Sequence, residues 1–297
     1  MATKPDARRQ TLKKNFVAAR GYWSGIWDDI LELSPDYFEA YTNLSSVPWR
    51  TGTLAPKVKE FVYIAIDAAT THLYNAGTRI HIANALRHGA SRDEVMEVLM
   101  IASVLGIHTM TDSLPIMMDV LKAAGKDPKL SARKLSARQQ EIKEEFTRNR
   151  GFFPPVFEPI LHLSPDFMQA YTDLSSAPWK MGLLEPKVRE LLYVAIDAST
   201  THLYNAGTRT HMTNAVKYGA TAEEIMEVLM LTAAIGVHTM TDSVPILMDE
   251  HRKFVAAQKK APKAAKATAK VKAVKVKTGN GKTGNGKTAN GRAGARA

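Results

Sequence analysis

The run TTHLYNAGTR occupies Thr70–Arg79 and returns letter for letter at Thr200–Arg209. Sliding the chain by 130 residues extends this match in both directions without a gap. Leu33-Ser-Pro-Asp36 falls on Leu163-Ser-Pro-Asp166, Pro48-Trp49 on Pro178-Trp179, Glu60 on Glu190, and HTMTDS at His108–Ser113 on His238–Ser243. From 33 to 120, 55 of 88 positions are identical. A long gapless period marks a duplicated structural unit. Inside the identical runs polar residues persist while neighbours drift, Arg92 to Ala222 and His88 to Tyr218. Retained function explains that contrast; recent duplication, with identity recording elapsed time alone, is the competing explanation.

Each copy reads as helices. Ser34-Pro35-Asp36 has the N-cap and first-turn proline of a helix start. Pro56 opens an apolar-periodic segment through Ala69, with Val58, Phe61, Val62, Ile64 and Ala65 suited to a buried face. The spacing predicts a helix from about Thr71 to His88, stopped at Gly89. Ser91-Arg-Asp-Glu94 and Thr221-Ala-Glu-Glu224 are capping boxes for the next helix, over 95–105 in the first copy. A further helix is predicted over Thr109–Ala123. No stretch alternates like a strand, so the fold class is all-α: two tandem helical modules, 14–124 and 143–252, with a basic arm (1–13), a polar linker (125–142) and a tail (253–297).

Charge separates body from tail. The formal net charge is +11, yet residues 252–297 hold 14 Lys or Arg and no acid, leaving the remainder at −3. The tail, with GNGKTGNGKTANG near its end, lacks the residues to build a core and is expected to be disordered. It offers nucleic acid or another acidic surface a charge-only contact, without interleaved aromatics for base stacking. The start of the chain has no signal-peptide apolar core, and no stretch reaches roughly 18 uninterrupted apolar residues. A cytoplasmic protein with no membrane partner is expected.

The repeated polar residues group by helical spacing. Tyr74, Thr78 and His81 lie at i, i+4 and i+7, with His72, Asn75 and Arg79 on an adjoining face. Glu60 and Asp67 share a face of the preceding helix, and His108 starts a later one. The second copy supplies Glu190, Asp197, His202, Tyr204, Arg209, His211, His238 and Asp242. Each has a structural alternative: His81 as a core histidine bonded to Glu60, Tyr74 as packing, Arg79 paired with Asp67, His108 as a cap or subunit contact. His72 and His81 are nine apart, unlike a helical zinc pair, so no metal and no cofactor is expected. The chain has no cysteine, which excludes disulfides and thiol catalysis.

Pro56-Lys-Val-Lys-Glu60, an apolar helix, His81 followed by Gly89-Ala-Ser, Asp93-Glu94, Met-Glu-Val-Leu and Gly106 together resemble the carboxymuconolactone decarboxylase family, which includes the AhpD-like alkylhydroperoxidases. The pattern recurs with Pro186–Glu190, His211, Gly219 and Gly236. The resemblance implies an all-α bundle that assembles as a homo-oligomer. The peroxidase branch has Cys-x-x-Cys where this chain has Tyr74 and Gly77, or Tyr204 and Gly207. Without a thiolate that activity loses its nucleophile. The decarboxylase branch implies lyase chemistry on a small organic acid or lactone. Its needs distribute as a carboxylate clamp (Arg79, Arg209) and substrate contacts (His72, His202). A proton shuttle (His81 with Glu60, His211 with Glu190) and oxyanion donors (Tyr74, His108, Tyr204, His238) complete the set. A peroxidase-type antioxidant and a non-catalytic scaffold with a nucleic-acid-binding tail are the alternatives.

Overall fold

The computed structural model describes residues 7–260, all helix, turn or loop without a strand among them. Residues 1–6 of the expected arm and 261–297 of the expected tail lie outside the described residues, and with them the expectation of tail disorder and of nucleic-acid contact. The first copy runs α1 (Ala7–Arg20), α2 (Asp28–Leu33), α3 (Pro35–Ser45), α4 (Val47–Thr51), α5 (Pro56–Ala68), α6 (Asn75–Arg87), α7 (Arg92–Ser103) and α8 (His108–Ala123). The second runs α9 (Ala137–Arg150), α10 (Glu158–Leu163), α11 (Pro165–Met181), α12 (Pro186–Ala198), α13 (Asn205–Lys217), α14 (Ala222–Ala233) and α15 (His238–Lys260). One compact unit ends at Val244 and holds the first copy and the second as far as the start of α15; a second begins at Pro245, where the described chain is the rest of α15.

Three boundaries differ from the sequence reading. The arm is helical from Ala7 because Leu12 and Phe16, four apart, both bury. The linker ends earlier, at Ser136, whose hydroxyl and Gln139 form a capping box that starts α9. The tail begins later, since α15 continues past 253 to Lys260. The predicted capping boxes at Ser91 and Thr221 both form.

α5 and α12 are the centre. A proline at the first position removes a backbone donor that no intrahelical acceptor could meet. From Val58 to Asp67 every residue of α5 is buried, and so is every residue of α12 from Val188 to Asp197. Helices buried all round need apolar neighbours on every side, and these two share one core, which includes Phe61, Ile64, Ile66, Val98 and Ile101 from one copy and Leu191, Leu192, Val194, Val228 and Leu231 from the other. The two tandem copies therefore share a single core.

Charged residues interlock the same core. Glu97 of α7 accepts from Arg189 Nε at 2.6 Å and from the backbone of Leu183 at 2.8 Å, all in the second copy. Glu227 of α14 reciprocates, accepting from Thr53 N at 2.7 Å and pairing with Lys59 Nζ at 2.8 Å. Gly52 makes room for it, since a methyl there would overlap the Glu227 carboxylate.

Two helical runs, Arg92–Ala123 and Ala222–Lys259, have the length and mean hydropathy (1.3 and 1.2) of a membrane span. Half of the most apolar 18-residue window in the first and 44% of that in the second is buried, so core packing accounts for much of their apolar composition.

Candidate active site

α6 begins at Asn75, later than the sequence spacing predicts. Residues after Ala69 form a turn in which Leu73 takes φ +53°, a left-handed value that a leucine rarely adopts. Leu203 repeats it at the same angle. Such strain concentrates at functional sites. The turn is closed by Tyr74 N donating to Asp67 O at 2.8 Å, and it presents His72 and Tyr74 beside the buried end of α5.

Glu60 and His81 form the first element of the site. His81 Nδ1 lies 2.6 Å from Glu60 Oε2, and Asn84 Nδ2 donates to the other carboxylate oxygen at 3.3 Å. Tyr63 stacks on the imidazole, centroids 4.4 Å apart. The second copy repeats the pair, His211 on Glu190 at 2.6 Å with Tyr193 at 4.5 Å. A Glu60 carboxylate accepting from Nδ1–H leaves Nε2 for chemistry. His211 Nε2 lies 4.0 Å from Asp197 Oδ2.

Asp67 and Asp197 are the second element. Asp67 is fully buried, and neither of its carboxylate oxygens has a hydrogen-bond partner among the described residues. Burial, reinforced by Glu60, raises its pKa well above the usual carboxylate range; Asp197, subject to burial and Glu190, is pushed up to about 8. Gly77 packs so close that a side chain there would collide with Asp67 Oδ2, and Gly207 stands in the same relation to Asp197.

The third element comes from the other copy. His238, the first residue of α15, places Nδ1 3.7 Å from Asp67 Oδ1 and 2.8 Å from His72 Nε2, and its ring lies on Tyr74 at 3.9 Å. Tyr74 Oη is 2.5 Å from Thr241 Oγ1. Reciprocally, His108 Nδ1 lies 3.7 Å from Asp197 Oδ1 and 2.6 Å from His202 Nε2, under Tyr204 at 4.0 Å, whose hydroxyl donates to Thr111 at 2.7 Å. Burial, then neighbouring histidines, pushes both His108 and His238 down to about 3; burial also lowers His72 and His202. Both shifts favour the neutral imidazole, which can donate or accept a hydrogen bond.

A buried arginine completes each site. Arg20 spans Trp49 and Tyr63, 5.3 Å from each ring, and Arg150 sits 5.4 Å from Trp179 and 5.2 Å from Tyr193. Nε of each lacks a hydrogen-bond partner among the described residues. Arg20 lines a cavity of about 20 Å³ with Tyr74, His81 and His238, room for about one water. Arg150 lines one of about 240 Å³ with Tyr204, His211 and His108, enough for a small organic molecule. The difference follows from the cap: Tyr22, Trp27 and Ile80 over the first become Phe152, Phe157 and Thr210 over the second.

The model of the carboxymuconolactone decarboxylase family matches this chain twice, over residues 35–126 and 165–247. The chain belongs to the carboxymuconolactone decarboxylase family. It is also similar to a crystal structure from Burkholderia xenovorans LB400, provisionally described as a gamma-carboxymuconolactone decarboxylase subunit. The two are 39% identical with a TM-score of 0.79, over 84% of this chain and 99% of that one. None of the curated proteins matches the chain. The paired family matches fall on the two copies, so the duplication is of the family unit itself.

Within this decarboxylase-family framework several sequence assignments change. His108 does not join Glu60, Tyr74 and His81; it completes the site of Glu190, Tyr204 and His211, and His238 completes the first. Arg79 and Arg209 are exposed and line neither cavity, because each lies two residues, more than half a helical turn, from the buried histidine of its helix. Arg79 does not pair with Asp67 either. The buried arginines that line the two cavities are Arg20 and Arg150, which the sequence reading did not single out. A signal existed: the 130-residue shift continues upstream to superpose Phe16 on Phe146 and Arg20-Gly21 on Arg150-Gly151.

Proposed function

We propose that this family member is an acid/base lyase that decarboxylates a small organic acid or lactone acid at the composite site of Glu190, His211 and Arg150, to which both copies contribute. The observation that carries this reading is the Glu190–His211 pair facing a cavity of about 240 Å³ that also holds the buried Arg150. Arg150 binds the substrate carboxylate through its planar fork, which matches that anion in shape and charge. Aromatic walls exclude water and strengthen that attraction. As carbon dioxide leaves, its bonding electrons pass into the substrate and develop an oxyanion at a conjugated carbonyl. The Tyr204 hydroxyl, free to turn from Thr111, donates to it. His211 delivers the proton to carbon through Nε2, with Glu190 balancing the charge on the ring. The chain works as a cytoplasmic homo-oligomer in this reading, consistent with Ile116, Met117 and Val120 exposed on α8.

The test is ultraviolet-monitored decarboxylation of 4-carboxymuconolactone and a panel of small lactone and unsaturated acids. Turnover should collapse in His81→Ala/His211→Ala. Arg150→Lys should raise KM at least roughly tenfold, the loss of one bidentate charged contact, while Arg209→Lys leaves it unchanged. Folded protein inert toward the whole panel removes the lyase reading.

A further inference from the structure

We propose that each composite site binds a divalent first-row transition ion, on Asp67, His72 and His238 in one and on Asp197, His202 and His108 in the other. In each trio one ligand atom per residue lies within 4.8 Å of the others. In the second trio the separations are 2.6 Å between imidazole nitrogens, 3.7 Å from His108 and 4.0 Å from His202 to the Asp197 oxygen. These scatter around roughly 3.3 Å, the edge of a tetrahedron with metal–ligand bonds of ~2.0 Å. Small side-chain rotations equalise them.

The independent observation is the aspartate. A fully buried carboxylate with neither oxygen paired is costly and calls for a partner. Arg79 is exposed, and the Glu60 carboxylate is itself an anion, so among the described residues no Lys or Arg pairs with Asp67. Two imidazole nitrogens face it instead. They can share one proton between themselves, but that hydrogen bond leaves Asp67 unanswered. A divalent ion satisfies the aspartate and both nitrogens together. Tyr74 and Tyr204, stacked on His238 and His108, fix the ring planes as supporting groups around a metal do. Two histidines and one carboxylate leave the shell incomplete, the pattern of sites whose remaining position takes water or substrate. Oxygen–nitrogen ligation without sulfur favours zinc, iron(II), cobalt or nickel over copper(I).

This inference stands apart from the lyase reading, and its readout is stoichiometry. Full-length, tag-free protein is stripped with chelator, dialysed, and titrated with Zn²⁺ by calorimetry and with Co²⁺ by visible absorption. Two ions per chain are expected, with a tetrahedral or five-coordinate cobalt spectrum. His238→Gln should remove one of the two, His108→Gln the other, and both together should abolish binding; Arg79→Ala should keep both. Asp67→Asn, which retains the side-chain shape, guards against misfolding and should also remove one, with circular dichroism confirming the fold. No cobalt spectrum from folded protein, or stoichiometry unmoved by the histidine variants, overturns the proposal in favour of a hydrogen-bonded histidine pair.

Discussion

Replacing Glu97 by Ala should loosen the joint between the two copies. Its carboxylate is fully buried and holds Arg189, itself only 4% exposed, at 2.6 Å while capping the Leu183 N–H at 2.8 Å. Removing one partner of a buried pair strands the other charge and costs about 3–5 kcal/mol. The freed backbone donors add to that cost, and water entering the cavity offsets part of it. Taking ~4 kcal/mol, and ~2–4 °C per kcal/mol for a unit of this size, Tm should fall by roughly 8–16 °C. Thermal and urea unfolding followed at 222 nm would measure it, with an unchanged m-value showing that the native fold persists. The double variant Glu97→Leu/Arg189→Met replaces the pair with apolar volume and should recover most of the loss, since a buried ion pair contributes little net stability over a packed hydrophobic substitute. A Tm shift under ~2 °C for Glu97→Ala, or a double variant as unstable as the single, would refute the assignment of Glu97 as a buried charge-matched tie.

Gly77→Ala should destabilise by about 1–3 kcal/mol, because its methyl overlaps Asp67 and meets the Tyr74 ring at 2.5 Å, whereas Gly106→Ala, with open space around it, should be nearly neutral; parallel urea titrations separate them. Glu60→Gln/His238→Ala strikes one composite site and should leave the other site's turnover intact, while Glu60→Gln/His108→Ala strikes both and should abolish it; the reverse ranking of the two variants would mean the sites are not shared between copies. For Glu94 burial raises the pKa, but Lys57 and the Ser91 backbone N–H outweigh it, so the folded value sits below the unfolded one. Glu224 is lowered in the same way, with Lys187 and Thr221 as its partners. Their contribution is present above the unfolded carboxylate pKa and is lost as pH falls through the depressed folded value. Glu94→Gln/Glu224→Gln should therefore flatten the acid limb of a stability–pH curve; an unchanged limb would discount the Lys57–Glu94 and Lys187–Glu224 ion pairs as sources of stability.

Much of the fold was legible because its signals are local. Ser91 with Glu94 caps a helix wherever it lies, and Pro56 before an apolar run marks a start independent of what packs on it. The Glu60–His81 pair was also within reach, since both residues recur and lie on consecutive helices. Spacing could not foresee the exchange of His108 and His238. His238 meets His72 across 166 positions of chain, and helical periodicity carries no information at that range. The same gap explains the metal trio, whose members include no i, i+4 pair. Arg79 misled for a different reason: it and His81 are two residues apart on α6, so the helix that turns His81 inward turns Arg79 out. Arg20 is hard to see because the repeat is weak around it, with few identities beside Phe16 and Arg20-Gly21.

The exchange of the first residues of α8 and α15 bears on assembly kinetics. A single copy carries the Glu–His pair and the aspartate of one site but the closing histidine of the other, so one copy alone contains no complete site. Separate halves would have to meet by diffusion, and their pairing would fade on dilution. The short segment between Ala123 and Ala137 turns that encounter into an intramolecular one, at an effective concentration on the order of mM. Dilution that would disperse two half-chains therefore leaves both sites of the fused chain closed.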